Sequence, residues 1–286
     1  LIRMAMRTAQ VRRQKIYLVG GIVRDLMLGK PCLDLDFSVE GEALALARSL
    51  GEEIGCRITS YPKFGTATIK LDGIQVDFAS ARTETYSYPG ALPLVKAASL
   101  LEDLYRRDFT INAMALDLSP THFGDIIDPF EGKRDLKKGI IRVIHEKSFI
   151  DDPTRIFRAI RYEQRLGFKI EKKTLELVLR DRDFVNTISG ERIRHEIELI
   201  FSEEWPEKAL HRIEELGIWK IINPELRGND NLKAAFAVLR QLDLKAPYPL
   251  PLLFSLFFFP LTAGTAEELI IRLNIPKAIA IALRDT

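Results

Sequence analysis

The stretch KIYLVGGIVRDLMLGKPCLDLDFSVE, residues 15–40, decides how this chain is read. Lys15–Val19 is a β-type run, Gly20 and Gly21 mark a turn, and Val23–Leu28 carries helical apolar spacing that Gly29 closes. Leu33–Val39 then reads as a second strand. A strand, a paired-glycine turn and a helix in that order put the N–H groups of Gly20 and Gly21 at a helix N-terminus, where phosphate binds well. Arg24 falls near the same helix start. The plain alternative is a tight turn beside a surface arginine.

Alternation along the second strand places Asp34 and Asp36 on one face and Leu33, Leu35 and Phe37 on the other. Two neighbouring carboxylates repel, and a divalent cation between them removes that cost. Hard oxygen donors of this kind suit Mg²⁺ carrying nucleotide phosphates. A bare Asp-x-Asp also fits the wet face of an edge strand. In GIQVDFASAR, residues 73–82, Asp77 points away from the apolar side of another strand and is a candidate third carboxylate. A solvated strand aspartate is the alternative there.

Working outward, further β-type runs fall at Arg57–Ser60, Thr66–Leu71 and Gln75–Ala79, with a helix over Glu42–Leu50 and Gly51 as its stop. From Phe149 onward strand signals fade. Helices are expected over Pro153–Leu166, Lys172–Arg180, Glu191–Phe201, Pro206–Leu216 and Asn231–Leu242, with one or two more toward the end. Asn223-Pro224 and Gly228-Asn229-Asp230 read as turns between them. The fold class expected is α+β: a head with a small mixed sheet over residues 1–139, then an all-α part.

Two further clusters carry chemistry. In LYRRDFTINAMAL, residues 104–116, Arg107, Asp108 and Asn112 combine a cation, an acceptor and an amide, and on a helix Asp108 and Asn112 would share a face. Such a set could hold a ribose hydroxyl and a triphosphate, or be an acidic helix start. In DDPTRIFRAIRYEQRLGF, residues 151–168, Asp152, Arg155, Arg158 and Arg161 recur every third position, opposite Ile156, Phe157, Ile160 and Leu166. Asp152 before Pro153 also has the form of a helix N-cap followed by a first-turn proline.

Composition narrows the class. At 286 residues there is room for about two domains, and 47% hydrophobic with 29% charged residues excludes a disordered or fibrous chain. With 42 basic and 40 acidic residues, a nucleic-acid surface must come from local clusters such as Arg106-Arg107, Arg155 to Arg165 and Arg192 with Arg194. Such clusters are also what solvated helix faces look like. Cys32 and Cys56 cannot build a disulfide scaffold or a four-cysteine zinc site, which suits a cytoplasmic location. The apolar run Leu250–Leu261 is broken by Pro251 and Pro260 and is too short to span a bilayer, so no membrane role is expected. An opening of LIRMAMRTAQ, without Met, leads us to expect a fragment or a processed chain.

Together, in this order and spacing, the motifs resemble the class II tRNA nucleotidyltransferases and bacterial poly(A) polymerases of the polymerase β superfamily. VGGIVRD with Asp34-Leu35-Asp36 looks like the family's metal motif, and RRDFTINAMA, residues 106–115, like its ribose motif. DPFEGKRDLKKGIIRVI, residues 128–144, looks like its flexible connector, DDPTRIFRAIRY like its base-reading helix and GERIRHEIELIF, residues 190–201, like the helical motif that follows. The resemblance covers about residues 15 to 225.

What it implies is specific. The head would be a polymerase β-like nucleotidyltransferase domain, with a helical neck over 140–204 and a helical body over 205–286. Asp34, Asp36 and Asp77 would be catalytic Mg²⁺ ligands. Gly20, Gly21, Arg24, Arg107, Arg158 and Arg161 would lie at the nucleotide phosphates, with Asp108 and Asn112 at the sugar. Asp152 and Arg155 would read the base: cytosine and adenine both present an amino donor beside a ring-nitrogen acceptor, whereas uracil and guanine reverse that order. The partners implied are tRNA and ATP, CTP or both. The reaction is untemplated addition of A, C or both at the 3′ end by two-metal attack of the RNA hydroxyl. A-only or CC-only addition, poly(A) synthesis and a silent RNA-binding module are the alternatives. Asp151 stands where the family usually has Glu, which is expected to alter positioning rather than chemistry. The segment ARTETYSYPGALPLVKAASLLEDLYRRD, residues 81–108, looks more like the branch that includes A-adding enzymes.

Overall fold

A computed structural model describes residues 1–32, 34–71, 73–228, 230–242 and 248–285. Leu33 and Asn229, where a strand start and part of a turn are expected, lie outside the described residues. The chain forms two compact units, one of residues 1–85 with 93–144 and one of residues 86–92 with 145–286.

The first unit holds a seven-stranded mixed sheet. Its strands in chain order are β1 (Lys15–Val19), β2 (Asp34–Glu40), β3 (Ile58–Tyr61), β4 (Thr66–Leu71) and β5 (Ile74–Ser80). After the hairpin β6 (Arg82–Thr85) and β7 (Leu94–Ala97) come β8 (Ala115–Asp117) and β9 (Ile126–Ile127). The order across the sheet is β3-β4-β5-β2-β1-β8-β9. β2 runs parallel to β5 with Asp36 opposite Asp77 and Phe37 opposite Phe78. On the buried face those phenyl rings stack at 4.9 Å. That register seats the carboxylates side by side on the other face.

Helices flank the strands: α1 (Ile2–Val11), α2 (Gly21–Met27), α3 (Ala43–Ile54), α4 (Leu100–Tyr105) and α5 (Gly132–Lys138). Gly51 does not stop α3, which continues to Ile54 and ends at the left-handed Gly55. A Cβ at Gly51 would lie 2.7 Å from the Ile58 side chain, so this glycine serves close helix-to-strand packing. α4 starts on a capping box in which Ser99 and Glu102 satisfy each other's backbone N–H groups. α5 lies inside the segment read as a flexible connector. Asp128 accepts the N–H groups of Gly132 and Lys133 at its start, and Asp135 is buried beneath Thr110 and Arg142.

In the second unit the described secondary structure is mainly helical: α6 (Ser148–Asp151), α7 (Thr154–Leu166), α8 (Lys172–Asp181), α9 (Gly190–Phe201) and α10 (Pro206–Glu215). α11 (Trp219–Ile222), α12 (Asp230–Gln241), α13 (Leu250–Phe258), α14 (Ala263–Arg272) and α15 (Lys277–Arg284) follow. The five long helices expected from periodicity are present within a residue or two at each end, and the last stretch holds three helices rather than one or two. Leu250–Phe258 is a core helix, its Phe254 and Phe257 set edge-on to Phe201. Trp219 is fully buried beside Phe257, with its indole N–H donated to the Leu210 carbonyl at 2.9 Å. Among the described residues no helix is long and apolar enough to cross a membrane.

Candidate active site

The head's chemistry gathers where β1 ends and β2 begins. Gly20 takes φ +78, and a Cβ there would come within 2.8 Å of the Arg107 Nη1 and 3.8 Å of the Asp36 Oδ2. A side chain at this position would be strained and would crowd both groups. Gly21 opens α2 as expected.

Asp34 is exposed and Asp36 is half-buried two residues along the same strand face. Burial pushes the Asp36 carboxyl above its ordinary range; Arg107 opposes that rise while Asp77 and Asp34 add to it. A group held this way has a standing electrostatic cost in its ionised form, which a divalent cation would relieve. Oxygen donors at this charge density fit a magnesium ion, so the pair suits the ion that the motif implies. Asp77 is the neighbour expected, but its carboxylate is turned toward β4: it accepts from the Thr68 hydroxyl, and from Gln75 Nε2 at 2.8 Å. Among the described residues no group of three His, Cys, Asp or Glu side chains converges as a ready-made metal cage. Each Asp77 oxygen thus already accepts one hydrogen bond and keeps a further lone pair.

Arg24 is placed otherwise than a phosphate contact at a helix start suggests. It is 4% exposed, grips the Asp25 carboxylate with two bonds of 2.8 Å, and donates to Asn112 Oδ1 at 2.7 Å. Asn112 then donates to Asp108 Oδ1 at 3.0 Å, which also accepts the Phe109 N–H at 2.8 Å. Because Arg24 claims the amide oxygen, the Asn112 nitrogen must face Asp108. No α-helix runs through Asp108 and Asn112: α4 ends at Tyr105, and Thr110–Asn112 is a single 3₁₀ turn. The tighter turn still brings the pair into contact.

In the second unit, Asp152 sits between α6 and α7, and its Oδ1 accepts the N–H at 3.1 Å and the hydroxyl at 2.7 Å of Thr154, the first residue of α7. Arg192 of α9 donates to the same Oδ1 at 2.7 Å. Arg155 is 5% exposed and donates to the Ser148 hydroxyl at 2.8 Å. The expected arginine stripe is not a solvated face. Arg161 is as buried as Arg155 and lies 3.8 Å from Glu196 and 3.6 Å from Glu203, while Arg158, Arg161 and Arg165 all stack around the Tyr162 ring. Sequence reasoning missed the partners Asp25, Ser148, Glu196, Arg192 and Asp103. Of these only Asp103 left a signal, its spacing of three and four residues from Arg106 and Arg107.

Fold and site together define a head of nucleotidyltransferase type followed by a mainly helical part. The family model described as "Poly A polymerase head domain" matches residues 16–142, and "Probable RNA and SrmB- binding site of polymerase A" matches residues 167–228. The A-adding tRNA nucleotidyltransferase of Geobacter sulfurreducens is 49% identical over 214 residues, 74% of this chain and 24% of that protein. A solved CCA-adding enzyme in an apo form superposes with a TM-score of 0.86 at 36% identity, covering 99% of this chain and 69% of the other. The Thermotoga maritima CCA-adding enzyme complexed with tRNA gives a TM-score of 0.83 at 34% identity, covering 99% and 68%. The chain belongs to this family of tRNA nucleotidyltransferases and poly(A) polymerases. It spans half or less of the length of the curated A-adding relatives it matches.

Proposed function

We propose that this chain carries the catalytic and RNA-holding parts of a magnesium-dependent, template-independent tRNA nucleotidyltransferase of the cytoplasm. It adds A, C or both to the tRNA 3′ end from ATP or CTP and releases pyrophosphate. The observation that carries the reading is the crowding of Asp36 with Asp34 and Asp77 against one guanidinium, Arg107, beside a glycine that leaves room for phosphate.

In this reading Asp34 and Asp36 would hold the ion, with Asp77 as the neighbouring third carboxylate. Bound magnesium supplies positive charge for the triphosphate and the attacking 3′-oxygen. Arg107, whose Nη1 shares with Asp36 the space beside Gly20, counters phosphate charge. Asp108, its carboxylate oriented by Asn112 and the Phe109 N–H, accepts a sugar hydroxyl. Asp152 and Arg155 discriminate the base: Thr154 and Arg192 fix Asp152 through its Oδ1, and Ser148 fixes Arg155. The RNA 3′-hydroxyl displaces pyrophosphate from the α-phosphate in line. Positioning and charge stabilisation provide the rate, with no covalent enzyme intermediate.

The helical half is proposed to divide into a neck over 140–204 and a body over 205–286 that hold tRNA by shape and backbone, with salt-dependent affinity. Addition of A takes precedence over addition of C because relatives named A-adding match at 40–51% identity and those named CCA-adding at 33–36%.

The test is incorporation on tRNAs ending before the tail, after one C and after both, with each nucleotide alone. Incorporation of A onto the CC end is expected, and Asp34→Ala should abolish it while circular dichroism stays unchanged. Substantial turnover by that variant in magnesium would overturn the metal assignment.

A further inference from the structure

We propose that Asp103 is a positioning residue for nucleotide binding, which aims the Arg107 guanidinium at Asp36 and the incoming triphosphate. The proposal rests on the reading of the head given above and assigns a role to a residue outside its motifs.

Asp103 lies on α4, one turn before Arg107, and is 1% exposed. Its Oδ2 accepts from Arg107 Nη2 at 3.0 Å and from the Ser38 hydroxyl at 3.4 Å. Its Oδ1 accepts from Arg106 at 2.7 and 3.1 Å and from the Arg82 N–H at 3.3 Å. Ser38 is two residues beyond Asp36 on β2, so it shares the strand face of Asp34 and Asp36. One carboxylate therefore ties together the strand that carries the candidate metal ligands and the arginine that faces them. Burial pushes the Asp103 carboxyl up, but Arg107 and Arg106 outweigh this and hold it below its ordinary range, so it is ionised.

The direction of the tie matters. With Nη2 held by Asp103, the Arg107 side chain crosses Gly20 and presents Nη1 toward it and toward Asp36. Arg107 Nε has no hydrogen-bond partner among the described residues, so the Asp103 bond is the main constraint on where this guanidinium points. An apolar side chain there would strand Arg106 and Arg107 and cost stability whatever the role of Asp103, so lost stability alone does not separate positioning from folding and binding must be read directly. An asparagine would turn one acceptor into a donor facing a guanidinium and release Arg107 from its aim.

The test is a double-mutant cycle on magnesium-ATP and magnesium-CTP binding, measured by calorimetry on the full chain with its fold checked by circular dichroism. Asp103→Asn should weaken binding at least about tenfold, and in an Arg107→Ala background it should change binding less than about twofold. Unchanged binding in Asp103→Asn, or effects that multiply in the double variant, would overturn the proposal. Should Asp103→Asn not fold, ¹⁵N spectra of arginine-labelled wild-type protein carry the test, with the Arg107 signals assigned by their loss in Arg107→Ala. Separate Nη resonances are expected of a held guanidinium, and one averaged signal would overturn the idea. Wild-type protein that binds neither nucleotide would overturn the functional reading and this one with it. Wild-type binding that Asp103→Asn leaves unchanged overturns this one alone.

Discussion

In the head, three carboxylates crowd one guanidinium, whereas on α7 and α9 Arg161, Arg165 and Arg194 meet glutamates and Arg192 meets Asp152. Asp36 is raised by burial and by its acidic neighbours against Arg107. Arg161 is flanked by Glu196 and Glu203, Arg165 pairs with Glu203, Arg194 with Glu198 at 3.2 Å and Arg212 with Glu163 at 3.0 Å. One region keeps a charge imbalance that a ligand can settle; the other pairs most of these arginines internally, although burial still raises the Glu196 carboxyl and its Oε2 has no hydrogen bond among the described residues. A cluster of like charges in sequence is therefore no guide to an open binding surface until its partners are known.

Neutralising Asp36 sharpens the comparison most. Asp36→Asn should cost roughly 10³-fold or more in nucleotide incorporation, about 4 kcal/mol of barrier, yet leave metal-free stability unchanged or raised. The sign follows from its raised carboxyl: a group favoured in its protonated form on folding stabilises fully below the ordinary carboxylate range. That contribution disappears as pH rises through the raised value. Thermal melts should thus show wild type and Asp36→Asn close to equal in acid, with the variant gaining over wild type as pH rises toward neutrality. A variant less stable at pH 7 without metal would break the contrast.

The opposite outcome is expected in the helical unit. Arg161→Met takes the ion-pair partner from buried Glu196, while Glu203 keeps Arg165, and should cost about 3 kcal/mol of stability, as removal of one partner from a buried pair does. Urea denaturation reads this, and a loss of nucleotide affinity with no loss of stability would return Arg161 to the phosphate role that the resemblance implied. A smaller effect is expected at Arg155→Ala, roughly tenfold in discrimination against UTP, or about 1.4 kcal/mol. Competition of UTP with ATP measures it, and unchanged discrimination would remove Arg155 from base reading.

Much of this was legible along the chain because strand and helix periods repeat locally. Lys15–Val19, the β2 run and the five long helices lie where alternation and 3.6-residue spacing put them. Gly51 misled because a glycine inside a helix looks like a stop until Ile58 packs over it. Asp108 and Asn112 were paired for the wrong reason, since four-residue spacing suggests an α-helix while a 3₁₀ turn makes the contact. The short pieces β6 to β9 and α6 carry too few residues for any period to show.

Asp34 and Asp36 were placed on one strand face by the sequence alone, because side-chain alternation is a property of the local backbone. Which charges are spent was decided only by the tertiary structure. Arg24 is taken by Asp25 and Asn112 and Arg161 by Glu196 and Glu203, across up to 88 residues of chain, while Asp103 holds one end of Arg107 and leaves Nη1 facing Gly20. Pairing energies depend on distance and burial in space, neither of which spacing along a chain encodes.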